Sequence, residues 1–145
     1  MVTTARKIAV GLHGWNKPET RGVRSVTEYN HQKAVFEWSQ QPSVRSVYPE
    51  LKLLFHIKNE TTGGAKQVAI DRKNGIRKGV PDLCLPVSRG GFHGLYIEMK
   101  NETGRASAEQ KWWGNELENQ GYKFNICYGW EQAREVLLWY LNLRA

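Results

Sequence analysis

The sequence predicts a mixed α/β domain in which helices flank a short sheet. Three observations point there. Short apolar runs that read as strands, LKLLFHI from Leu51, LYIEMK from Leu95 and YKFNICY from Tyr122, alternate with segments of helical periodicity. Gly and Pro punctuate the junctions. The chain has 145 residues, 40% of them apolar, which is one ordinary domain with a sizeable core.

The elements follow in order. Residues 1–24 are rich in Gly, Thr and basic groups and read as an arm without periodicity, so the domain proper is expected over 25–145. A helix is predicted from Glu28 to about Gln40, with Thr27 as N-cap and Pro42 beyond its end. Glu28, Gln32, Val35, Phe36 and Ser39 share one face of it. Glu28 is there either to face the positive helix end or to aim a carboxylate inward. Leu51 to Ile57 reads as a strand and Ala65 to Lys78 as a helix whose apolar positions are Ala65, Val68, Ala69 and Ile76. Leu83 to Val87 is a strand behind the Gly79-Val80-Pro81-Asp82 turn, and a Gly-rich hairpin connection leads to the strand Leu95 to Lys100. Ser107 to Gln120 is a helix opened by a Ser107/Gln110 capping box and closed by Gly121. Tyr122 to Tyr128 is the fourth strand. Trp130 to Leu143 is the last helix, buried through Ala133, Val136, Leu137, Tyr140 and Leu141.

Charge and cysteine content narrow the class. Lys and Arg number 21 against 14 Asp and Glu, a formal net charge of +7. That balance favours a polyanionic partner, nucleic acid before an anionic membrane surface. No apolar stretch approaches a membrane span and no apolar signal core opens the chain, so the expected location is cytoplasmic. Cys84 and Cys127 are read as two reduced, buried cysteines, without zinc-site spacing.

The chemistry concentrates at Asp82 and at Glu98-Met99-Lys100. Strand period places Glu98 and Lys100 on one side and Ile97 and Met99 on the other. If the two strands pair as a hairpin, Asp82 stands beside Glu98. Two adjacent carboxylates repel unless a cation joins them, and a hard divalent ion, Mg²⁺ by default, suits oxygen ligands. The Met99 carbonyl is a further candidate ligand. Phosphodiester cleavage needs such parts: a cation to activate water and polarise the phosphoryl oxygen, and an ammonium to face the developing charge. Lys100 fits the last role, and also orients or helps deprotonate the water if its pKa is lowered. The plain alternative is a Glu98–Lys100 surface pair on an edge strand. Pro81 and the stiff turn argue for a carboxylate held in a fixed direction.

Other candidates carry two readings each. Gln110 reads first as a capping residue, and second as a donor to water or phosphate, roles that one residue is not expected to combine. His56 is either a packed strand histidine or a phosphate or water contact. Lys66, Arg72, Lys73, Arg77 and Lys78 form either a solvated basic face or a set of phosphate contacts. Trp112 lies off the inward face of its helix, where it either stacks on a base or covers the sheet edge.

With these residues in place the chain resembles the VRR-NUC family, the virus-type replication–repair nucleases of the PD-(D/E)xK, restriction-endonuclease-like superfamily. The matching stretches are TEYNHQKAVFEW from Thr27, FHIKNE from Phe55, GVPDLCLPVSRGGFHGLYIEMK from Gly79 and SAEQKWWGNELENQGYKFNICYGWEQA from Ser107. The resemblance implies a restriction-endonuclease-like core and a Mg²⁺-dependent DNA endonuclease, with Mn²⁺ as a substitute. It implies that Asp82 and Glu98 bind the metal, that Lys100 is the catalytic lysine, that Glu28 is an added acid and that Gln110 is an active-site glutamine. The resemblance also brings in His56, which lies in an HIxNE-like segment that members of the family carry. It also implies a phage-type standalone homodimer acting on structured DNA such as four-way junctions. The competing class is a non-catalytic DNA-binding module, carried by the positive charge alone. Metal-dependent cleavage separates the two.

Overall fold

The structure is a computed structural model describing residues 27–145. The arm expected over 1–24 lies outside these residues. Among the described residues, one four-stranded sheet has the order β1 (Phe55–His56), β2 (Leu83–Leu85), β3 (Leu95–Lys100), β4 (Lys123–Tyr128). The first two pairings are antiparallel, and β3 runs parallel to β4. The sheet is therefore mixed and carries helices against it, a restriction-endonuclease-like arrangement. The parallel pair follows from its connection, because α4 (Ala108–Asn119) returns the chain to the starting end of β3.

α1 (Glu28–Ser39) starts at the expected cap, with the Thr27 hydroxyl accepting from the Asn30 N–H at 3.2 Å. α5 (Trp130–Leu141) packs against α1 and lies over β3 and β4. Val35 of α1, Ala133 and Leu137 of α5, and Ile97, Met99 and Cys127 of the sheet join one continuous core. Burying the Val, Leu, Ile and Met side chains among these stabilises the fold by about 1.5–3 kcal/mol each. Tyr140 is fully buried yet satisfied, its hydroxyl donating to the Val87 carbonyl at 2.7 Å. Cys84 and Cys127 are buried and free.

Three expectations are corrected. Pro42 does not merely follow a helix; it opens a second one, α2 (Pro42–Val47), where a first-turn proline loses no hydrogen bond. The strand expected over Leu51 to Ile57 is a 3₁₀ turn, Pro49–Leu53, followed by only two strand residues. Leu51 and Leu54 are buried three apart, which is helical spacing, whereas Leu53 and Phe55 stay exposed. The helix expected over Ala65 to Lys78 stops as α3 (Ala65–Lys73), because Gly75 at φ +91° turns the chain and the Ile76 N–H closes back on the Asp71 carbonyl at 3.0 Å. Nor does α3 pack through Val68, which is exposed; Asp71 is its buried residue.

No helix among the described residues is long and apolar enough to cross a membrane.

Candidate active site

The turn before β2 is built to place Asp82. Gly79 sits at φ +87°, and a Cβ there would lie 2.7 Å from Glu109 Cβ, so only glycine lets the turn lie against the start of α4. Pro81 is fully buried. Leu83 pairs with Ile97, so Asp82 faces Glu98 one step beyond the paired register. Asp82 Oδ2 accepts the Met99 N–H at 2.7 Å, and Oδ1 accepts from Asn59 Nδ2 at 2.9 Å. Its main-chain carbonyl accepts from the Ile57 N–H at 2.8 Å and lies 2.9 Å from His56 Nδ1. Carboxylate and backbone are thus both fixed.

Glu98 and Lys100 occupy β3, an inner strand paired on both sides, which removes the edge-strand reading. Glu98 is 1% exposed. Its Oε1 takes a 2.6 Å hydrogen bond from Gln110 Nε2 and lies 3.1 Å from Lys100 Nζ. Its Oε2 is buried and has no hydrogen-bond partner among the described residues. Burial raises the Glu98 carboxyl to about 8, with the negative Asp82 adding to the rise and Lys100 opposing it. An acid in that state either holds a proton or awaits a cation.

Lys100 is pulled down by burial, but the carboxylates of Glu98, Glu28 and Asp82 more than offset this and its pKa ends above the usual value. The neighbouring carboxylates thus favour the ammonium form, and the lowered pKa that water deprotonation would require is not what this surrounding produces. Glu28, in the first turn of α1, lies 3.7 Å from Lys100 Nζ. The inward reading of Glu28 accordingly prevails over a purely helix-end role.

Gln110 combines its capping role with a contact inside the site, made to Glu98 rather than to the water or phosphate of the second reading. Its Oε1 accepts the Ser107 N–H at 2.8 Å, completing the capping box, while its Nε2 donates to Glu98. A primary amide has an acceptor end and a donor end, so cap and site need not compete.

His56 is exposed rather than packed and lines a cleft of about 200 Å³ with Glu28, Tyr29, Asn59, Asp82 and Met99. Asn59 is the residue that the sequence reading passed over. It ties Asp82 to the Val80 carbonyl, which it reaches at 2.7 Å. The FHIKNE stretch held that signal, but only the β1–β2 pairing shows what its asparagine meets. Of the basic residues, Lys66, Arg72 and Lys73 stand exposed on α3. Arg77 and Lys78 lie in the following loop, where Arg77 caps the Arg72 carbonyl at 2.8 Å and Lys78 pairs with Glu109 at 3.2 Å.

The donor set suits a hard cation: Asp82, just ahead of β2, lies opposite Glu98 of β3, and Glu98 has an unpartnered buried oxygen. Among the described residues no group of three or more His, Cys, Asp or Glu side chains comes together as a ready-made ligand cluster. A cation here would rest on Asp82, Glu98 and the Met99 carbonyl, with water completing its shell, as small divalent ions tolerate.

The VRR-NUC domain model matches residues 23–131, which is most of the chain and all of this constellation. The chain belongs to the VRR-NUC family. A solved structure described as a VRR_NUC domain protein is 28% identical to it, with a TM-score of 0.64 over 81% of this chain and 90% of that one. No curated protein matches the sequence. VRR-NUC membership agrees with the mixed sheet flanked by helices and is consistent with the PD-(D/E)xK superfamily.

Proposed function

We propose that this VRR-NUC protein is a divalent-metal-dependent endonuclease that hydrolyses phosphodiester bonds in DNA. The observation that carries the proposal is the buried Glu98, with one oxygen unpartnered, a second carboxylate opposite and an ammonium 3.1 Å away. Asp82, Glu98 and the Met99 carbonyl would hold Mg²⁺, with Mn²⁺ as a substitute and Glu28 at the margin. A bound cation supplies Lewis-acid polarisation of the phosphoryl oxygen and lowers the pKa of a water.

The protein's own groups do the rest. Lys100 keeps its proton and faces the negative charge that develops at phosphorus in the transition state. Glu28 and Glu98 hold the ammonium between them, so it is positioned before substrate arrives. Gln110 fixes the rotamer of Glu98, and Asn59 together with the Met99 N–H fixes that of Asp82. His56, exposed at the cleft, offers a ring nitrogen to the phosphate or the attacking water. Lys66, Arg72, Lys73, Arg77 and Lys78 steer the DNA backbone electrostatically.

The substrate class is branched or otherwise structured DNA, four-way junctions included, and the acting species is a homodimer. One domain carries one such site, so paired cuts need two copies. Both statements rest on the family and on that count of sites.

The test is a panel of end-labelled duplex, forked and four-way DNAs, incubated with Mg²⁺, with Mn²⁺ and with chelator. Cleavage that depends on the metal and disappears in folded Asp82→Asn and Lys100→Ala proteins is the expected result. Full cleavage by both variants would overturn the assignment.

A further inference from the structure

Lys58 lines the same cleft as Glu28, Asp82 and Met99. Three carboxylates, Glu28, Glu60 and Asp82, share that lining, and Lys58 is the one Lys or Arg among the described residues that do. A surface of that sign repels a polyanion. A phosphodiester strand entering the cleft therefore needs a cation on the protein as well as one at the acids.

The root of Lys58 is fixed. Ile57 donates its N–H to the Asp82 carbonyl at 2.8 Å. Asn59 donates through Nδ2 to Asp82 Oδ1 at 2.9 Å and to the Val80 carbonyl at 2.7 Å. Both chain neighbours of Lys58 are thus tied to the segment that carries Asp82, and its Cα is about 3.8 Å from each of theirs. The side chain starts beside the proposed metal carboxylate, and its ammonium lies one lysine stem away from there.

The far end is only loosely held. Lys58 Nζ stands 3.7 Å from Asp71 Oδ2, a long ion pair, and the Lys58 side chain is 63% exposed. Asp71 is the buried residue of α3, and its Oδ1 is held separately by Gln67 Nε2 at 2.8 Å. Asp71 Oδ2 has no hydrogen-bond partner among the described residues. An ammonium carries three donors, so Lys58 can meet a phosphate oxygen while staying beside Asp71. Asp71 also gives the ammonium an anion other than Asp82 to rest against, which leaves Asp82 for a cation.

We propose that Lys58 binds a DNA backbone phosphate adjoining the scissile one. This rests on the nuclease reading above and adds a substrate-binding residue to it. The contact carries no base information; it sets how the strand lies over Asp82.

The experiment reads binding apart from cleavage. A fluorescent duplex is titrated in chelator from about 0.05 to 0.4 M KCl, and log affinity is plotted against log salt. One neutralised phosphate contributes about 0.9 to that slope. Lys58→Met is expected to lower the slope by about 0.9 and to weaken binding about eightfold at 0.1 M, with the loss shrinking as salt rises. Lys58→Arg should keep the wild-type slope. Removing the lysine also lowers the net charge and leaves Asp71 without its cation. The double variant Lys58→Met/Asp71→Asn removes one charge of each sign, stays at a formal +7, and should show the same loss of slope. With Mg²⁺ present, single-turnover cleavage by Lys58→Met should need several-fold more protein for half its maximal rate, with that maximal rate changed less than about twofold. A parallel drop in affinity with unchanged slope would make Lys58 merely structural. A wild-type slope in the double variant would reduce the effect to net charge, and a fallen maximal rate would put Lys58 in the chemistry. Each of these overturns the proposal. If Lys58→Met loses slope but no protein cuts DNA with Mg²⁺, the nuclease reading fails while the phosphate contact stands.

Discussion

Glu98→Gln is expected to stabilise the metal-free protein while ending cleavage. In the folded chain the carboxyl rises from its ordinary 4.5 to about 8, because it is buried beside Asp82. Between those values the folded protein keeps a proton that the unfolded chain releases. Native protein then binds more protons than unfolded protein, so stability falls as pH rises through that window. Each pH unit above 4.5 is worth about 1.4 kcal/mol, so at pH 7 the wild type carries a cost of about 3 kcal/mol. A glutamine has no such cost. Its carbonyl can still accept from Gln110 and Lys100, while its amide nitrogen takes the place of the unpartnered Oε2 and forfeits about 1 kcal/mol if it finds no acceptor. The net gain at pH 7 is about 2 kcal/mol, on the order of 5–8 °C in Tm for a domain of this size. Urea unfolding in chelator, followed by circular dichroism from pH 4 to pH 9, measures it. The difference between variant and wild type should be smallest at pH 4, widen through neutrality and level off above pH 8. A difference that is flat with pH, or a variant that is less stable at pH 8, would refute the account of Glu98 as a disfavoured buried acid.

Further outcomes follow from the same geometry. Lys100→Met keeps the stem and removes the ammonium; kcat is expected to fall about 10²–10³-fold with little change in DNA affinity, read by single-turnover cleavage and gel shift. Asn59→Ala frees Asp82 Oδ1 from its 2.9 Å partner and should weaken Mg²⁺ or Mn²⁺ binding about 10–100-fold, measured by calorimetry, with a Tm close to wild type. Gly79→Ala forces a side chain into a φ of +87° and to 2.7 Å from Glu109, and should cost about 2–4 kcal/mol in urea unfolding while lowering cleavage, since the displaced turn carries Asp82 with it.

The elements that could be read from the sequence are those whose signals are local. β3 appears with its expected limits, and the helices at Glu28, Ser107 and Trp130 start where caps and periodicity place them. The Asp82–Glu98 juxtaposition was accessible because strand parity and a hairpin connection are short-range rules. The 3₁₀ turn at Pro49–Leu53 was hidden because an apolar run of that length fits a strand as well as a tight helix until the burial of Leu51 and Leu54 is known. The end of α3 was hidden because basic residues continue past Gly75. Asn59 escaped notice because its meaning depends on β1 lying next to β2, a pairing across 26 residues at His56 and Asp82. The charge state of Lys100 depends on three carboxylates from three separate segments, which spacing along one strand does not reveal.

The two-ended role of Gln110 has a consequence for folding as well as for chemistry. Its acceptor end belongs to the first turn of α4 and its donor end to the acid in the sheet. When Glu98 is charged, the bond it receives from the amide is stronger, and when Glu98 is neutral that bond weakens. The fraying of one helix end is thereby linked to the charge of a group in the sheet. Hydrogen exchange at the Ser107 and Gln110 amides would register whether Glu98 carries a charge, without a substrate and without a single turnover.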